Sequence, residues 1–128
     1  MNVKQILTVM ISGCLLLAAS LCMAANGEQS VRPVLDKLLN AVESNDYAGF
    51  VADGTEAFKA EVTEQVFEDV STRIAPRMKD GYKALYLGEL EQQDYLIHLW
   101  RLEYKDGGDD TMAKLVTDNG KVAGFWLQ

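Results

Sequence analysis

Cysteine is nearly absent from this chain: it stands at positions 14 and 22 and nowhere else. Both positions fall in an N-terminal stretch that reads as a removable signal. The rest of the chain then has no disulfide, no thiolate metal site and no cysteine nucleophile, and an exported form holds together by its core alone. Histidine occurs once, at position 98. A lone histidine rules out the H-E-x-x-H metal helix, and neither G-x-S-x-G nor a phosphate-cradling glycine loop is present. Positive charge is also scarce: 12 Lys and Arg stand against 19 Asp and Glu, a net charge of −7. An acidic balance disfavours nucleic acid and anionic membranes as partners, because both need cations to neutralise phosphate.

The first 24 residues are unlike the rest. One lysine, Lys4, precedes the uncharged run ILTVMISGCLLLAASLCMA. A basic end, an apolar run and a small-residue close describe a secretory signal peptide, with cleavage expected after Ala24. An uncleaved anchor is the alternative. A lipoprotein is a third reading, since Ile11-Ser12-Gly13-Cys14 resembles a lipobox, but apolar residues rather than a polar tether follow Cys14. Loss of Lys4 leaves 11 cationic against 19 anionic side chains, a net charge of −8. About 104 residues remain, enough for one domain and too few for two.

Residues 25–30 are polar and read as a flexible leader, with Ser30 capping a helix that has Pro33 in its first turn. Val31, Val34, Leu35, Leu38, Leu39, Ala41 and Val42 recur at helical spacing. Asp46 caps a second short helix, YAGFVA, pinned by Tyr47, Phe50 and Val51. Residues 55–62 read equally as a short helix or an irregular crossing. Thr63 opens a further helix, expected to stop at Ala75 because Pro76 biases its predecessor away from helical angles. From Gly81 the period shortens to two. Strands are expected at 82–90, 95–105, 111–117 and 122–127, with Asn119-Gly120 specifying a two-residue hairpin. Helices before strands joined by short turns describe an α+β domain over residues 31–128, with helices on one face of a curved four-stranded antiparallel meander.

The order of elements, the junction Asn45-Asp46-Tyr47-x-x-Phe50 and the closing Gly120-Lys121-Val122-x-Gly124-Phe125 resemble the nuclear transport factor 2-like superfamily, which includes SnoaL-like cyclases and ketosteroid isomerases. The resemblance spans residues 31–128 and implies a cone-like fold with a pocket. The isomerases' acidic base and Tyr/Asp oxyanion hole do not map onto this chain, for Asp94 and Asp118 fall in expected turns.

The stretch HLWRLEYKDGGDD concentrates the candidate chemistry. Alternation places Leu96, His98, Trp100, Leu102 and Tyr104 on one strand face, and Tyr95, Ile97, Leu99, Arg101 and Glu103 on the other. If the first face meets the helices, His98, Trp100 and Tyr104, with Tyr82 and Tyr86 from the preceding strand, line a pocket for a small apolar or amphipathic ligand. His98 is then a general acid or base in an isomerase- or cyclase-like alternative. The second face, partly apolar, needs a second cover, and a homodimer through the sheet supplies one. The aspartates of DGGDD attract attention as a calcium loop, but their spacing is wrong and no bidentate Glu follows, so no metal and no cofactor is expected. The favoured expectation is a non-enzymatic exported domain that binds a small apolar or amphipathic ligand or a protein partner.

Overall fold

The computed structural model describes residues 27–128. The signal peptide, its cleavage point and both cysteines lie outside the described residues. The chain divides into two units after Ser30. In the first, residues 27–30 are helical, and Ser30 Oγ donates to the Gly27 carbonyl at 3.0 Å. Ser30 is therefore not the expected cap, and no polar coil occupies 27–30. Its hydroxyl bonds back to the preceding turn instead of accepting from an N–H ahead of it.

The second unit opens with α1, residues 31–43, whose Leu35, Leu38, Leu39 and Val42 are buried along one stripe. Asn45, at φ 54°, breaks the helix, and Asp46 accepts from Gly49 N to start α2, Tyr47–Val51. The ambiguous stretch resolves into α3, Glu56–Glu61, capped by Thr55 and anchored by buried Phe58. Thr63 caps α4, Glu64–Lys79, as its hydroxyl position before Glu64 and Val66 implied.

Pro76 does not stop α4. The helix runs one turn further, because Met78 is buried and Arg77 is held by Asp106 and the Asp109 carbonyl. Those contacts outweigh the local bias that proline exerts on Ala75.

The sheet is a four-stranded antiparallel meander, ordered β1-β2-β3-β4: β1 Tyr82–Gln92, β2 Tyr95–Tyr104, β3 Thr111–Asp118 and β4 Lys121–Leu127. Asn119 (φ 50°) and Gly120 (φ 79°) form the expected hairpin turn, flanked by the Asp118–Lys121 pair. Gln93 and Asp94 take the same positive-φ pair without any glycine. A bulge between Tyr86 and Gly88 places Leu87 as an extra residue opposite Leu99 and re-aims the far half of β1.

Helices pack on the face carrying Leu102, Trp100, Ala113 and Leu115, all fully buried. Ser71 Oγ, also buried, donates to the Val42 carbonyl at 2.7 Å and ties α4 to the end of α1. Arg32 Nη1 donates to the Ala84 carbonyl at 3.1 Å, tying α1 to β1.

Candidate functional site

Register decides which side chains share the His98 face. Tyr82 pairs with Tyr104, Tyr86 with Trp100 and Glu89 with His98. The expected set thus does share one face, and it is the helix side: His98, Trp100 and Tyr104 are buried, while Tyr82 and Tyr86 are partly buried against the core. The structure adds a neighbour that alternation alone did not single out. Glu89 brings Oε2 to 3.6 Å from His98 Nδ1, and Tyr86 Oη lies 3.3 Å from the same nitrogen. Tyr86 and Trp100 rings pack at 5.4 Å and His98 and Trp100 at 6.0 Å, so the space around the imidazole is filled by aromatic rings. Trp100 Nε1 is buried with no hydrogen-bond partner among the described residues.

Burial lowers the His98 pKa below its usual 6.5, with the Glu89 carboxylate pulling the other way. The folded protein therefore holds His98 neutral where the unfolded chain protonates it. Stability from this residue is expected to be level above pH 6.5 and to fall as pH drops below it, until the lowered folded value is passed. Urea midpoints measured between about pH 7.5 and 5 should show the slope, and His98→Gln, which keeps a donor and an acceptor, should flatten it. Burial likewise raises the Tyr82 pKa, aided by the carboxylates of Glu43 and Asp36.

The acidic loop proves to be a clasp. Arg77, from the last turn of α4, donates through Nε and Nη2 to both carboxylate oxygens of Asp106, at 2.7 and 3.1 Å. Nη2 also reaches the Asp109 carbonyl at 2.9 Å. The guanidinium lies 3.9 Å over the Tyr104 ring, and Asp106 Oδ1 accepts from Gly108 N. Among the described residues no group of three or more His, Cys, Asp or Glu side chains is placed to hold a metal ion. The Arg77 bond and then the Gly108 N–H hold the Asp106 pKa down, to about 2 from 3.8. A lowered carboxylate pKa adds stability above the unfolded value and loses it as pH falls through the folded one. Acid titration of the fold should show that loss between pH 3.8 and about 2, and Arg77→Gln should remove it.

The opposite sheet face is partly bare. Leu85, Leu90, Tyr95 and Trp126 share it and are all exposed, with half-buried Ile97 and Leu99 between them. Arg101 pairs there with Glu103 and lies 3.8 Å from Asp110. A cleft of about 620 Å³ runs off this face between Tyr95, Ile97, Val116 and the start of α3. Its walls mix these with Gln92, Gln93 and Asp118 and gather no convergent polar set.

A smaller and more apolar pocket lies where the helices meet β4. It measures about 290 Å³, with Phe50, Phe67 and Phe125 among its walls beside four valines, Glu61 and the Trp126–Leu127 end of β4. Phe50 contacts Phe67 at 4.9 Å and Phe125 at 5.8 Å between ring centres, a packed and rigid floor. Val66 (51 % exposed) stands at its mouth, and Glu61 is the only charged residue lining it. The sequence carried a trace of this pocket. Val66 and Val70 are apolar residues of α4 that lie farther around the helix than its buried Phe67, Ser71, Ala75 and Met78.

No helix among the described residues is long and apolar enough to cross a membrane. Compared with known proteins, the chain matches no family profile, no curated protein and no solved structure.

Proposed function

We propose that the domain is an exported binding module that takes an apolar group in the pocket between α4 and β4. The observation that carries this is the pocket's lining: three phenylalanines and four valines around one carboxylate, with exposed Val66 at the mouth. Sites of this kind are concave, mostly apolar and hold few polar groups. The runner-up, an isomerase- or cyclase-like enzyme using His98, is less well supported. A carboxylate and a phenol do stand beside the imidazole, but rings fill the space a substrate needs. The nuclear transport factor 2-like resemblance stays a proposal resting on the two junction segments and the order of elements.

The test uses N-phenyl-1-naphthylamine, a neutral apolar probe that accepts energy from tryptophan. Saturable binding is expected, abolished by Val66→Asp and unchanged by His98→Gln. Binding that survives Val66→Asp in a folded variant defeats the pocket assignment. Export is tested by terminal sequencing of the secreted protein: a start at Ala25 or Asn26 is expected, and a retained Met1 or a lipidated cysteine refutes it.

The bare sheet face supports a second reading, a homodimer. A two-fold contact presents the same patch twice, and the Arg101–Glu103 pair gives that patch both charge signs at its edge. Leu90→Glu should then abolish a dimer seen by sedimentation velocity.

A further inference from the structure

The same pocket adjoins an unpaired strand edge. β4 ends the sheet, and its backbone pattern can be read from one pair. Met112 and Gln128 exchange both hydrogen bonds, at 2.7 and 3.0 Å. Bonded pairs alternate along an antiparallel ladder, so Trp126/Lys114 and Gly124/Val116 are the next bonded pairs. Phe125 and Leu127 therefore direct their N–H and C=O away from β3. Among the described residues no strand pairs with that side of β4 at either residue.

Nearer the hairpin the same edge is occupied. Val122 N donates to the Asp53 carbonyl and Thr55 N donates to the Val122 carbonyl, both at 2.9 Å, and Gly54 bridges Val122 in parallel. A short extended piece of the chain thus already lies against β4, and it stops where α3 begins at Glu56. Beyond that point the open backbone groups run past the apolar pocket, whose wall includes Phe125, Trp126 and Leu127. An exposed edge of this kind is a template for another strand.

We infer that the free edge of β4 receives an extended segment of a partner protein, which adds as a strand along Phe125–Leu127 and places one apolar side chain in the adjoining pocket. This rests on the pocket reading above and names its occupant. The volume favours a side chain over a whole ligand: about 290 Å³ is at the bottom of the roughly 300–1,000 Å³ range of small-molecule sites. Glu61, the only charge in the wall, and the acidic balance of the chain select a segment with a basic residue beside the apolar one. The Trp126 indole lies on the other face of the sheet, folded over Gly124, where a Cβ would stand 2.3 Å from it, so it leaves the helix side of the edge to Phe125 and Leu127.

The test is fluorescence anisotropy with fluorescein-labelled Lys-Val-Lys-Phe-Lys-Val. Two further peptides carry the same side chains, N-methylated on one or the other alternate set of amides. Strand addition uses every second amide. One methylated peptide should therefore lose about tenfold or more in affinity while the other keeps it. Val66→Asp and Glu61→Lys should each weaken the parent peptide. Equal affinity of all three peptides, or equal loss in both methylated ones, overturns the inference. So does a parent peptide that fails to bind while the naphthylamine probe binds, a result that leaves the pocket standing for a small ligand. Failure of both probes removes the pocket reading as well.

Discussion

Trp100→Ala is expected to destabilise the domain by about 3–5 kcal/mol, the range for removing a core aromatic. Trp100 is fully buried. It packs against Tyr86 and His98 on one face of the sheet and lies opposite Ala113 on β3. Ala113 offers only a methyl group, too little to fill the space, so a cavity remains. The measurement is the free energy of unfolding from urea melts at pH 7.5, where His98 is neutral in both states. Trp100→Phe should cost much less. Among the described residues the indole N–H has no partner to lose, and removing an unsatisfied buried donor offsets part of the lost area. A Trp100→Phe variant as unstable as Trp100→Ala would show that the N–H is bonded in solution.

Gly120→Val is expected to cost about 1–2 kcal/mol, visible as a lower urea midpoint with an unchanged slope. Gly120 sits at φ 79°, and no atom lies within 4 Å of the position a Cβ would take. The loss is therefore backbone strain alone, with no clash to relieve by repacking. β-branched residues tolerate that region worst. The β1–β2 turn supplies the converse. Gln93 and Asp94 already hold positive φ there, so Gln93→Asn with Asp94→Gly should raise the midpoint by matching the turn's preference.

The hairpins were legible because each rests on local chemistry. Asp118-Asn119-Gly120-Lys121 needs no distant contact to turn, and the period-two run of β2 names its own faces. The period grouped His98 with Trp100 and Tyr104 but left open which face meets the helices, because that depends on packing between distant elements. Pro76 was misleading because its effect is local, whereas the contacts that extend α4, at Met78 and Arg77, come from elsewhere in the chain. Arg77 and Asp106 are 29 residues apart, and nothing in either neighbourhood announces the other. Spacing argued against a calcium loop at the aspartates, but it could not name the guanidinium that holds Asp106. Glu89 was hidden for another reason. The bulge at Leu87 shifts the register by one residue, and without that shift a different side chain would stand opposite His98.

The bridge between Gly54 and Val122 bears on how the molecule comes together. Every other strand contact joins neighbours along the chain and closes a small loop, which is entropically inexpensive and quick. The bridge instead joins the α2–α3 connection to the last strand, across α3, α4 and three strands of intervening chain. It has few backbone bonds to offset that closure, so it forms late and opens first. Amides at Thr55 and Val122 should therefore exchange with solvent well before those of β2 and β3.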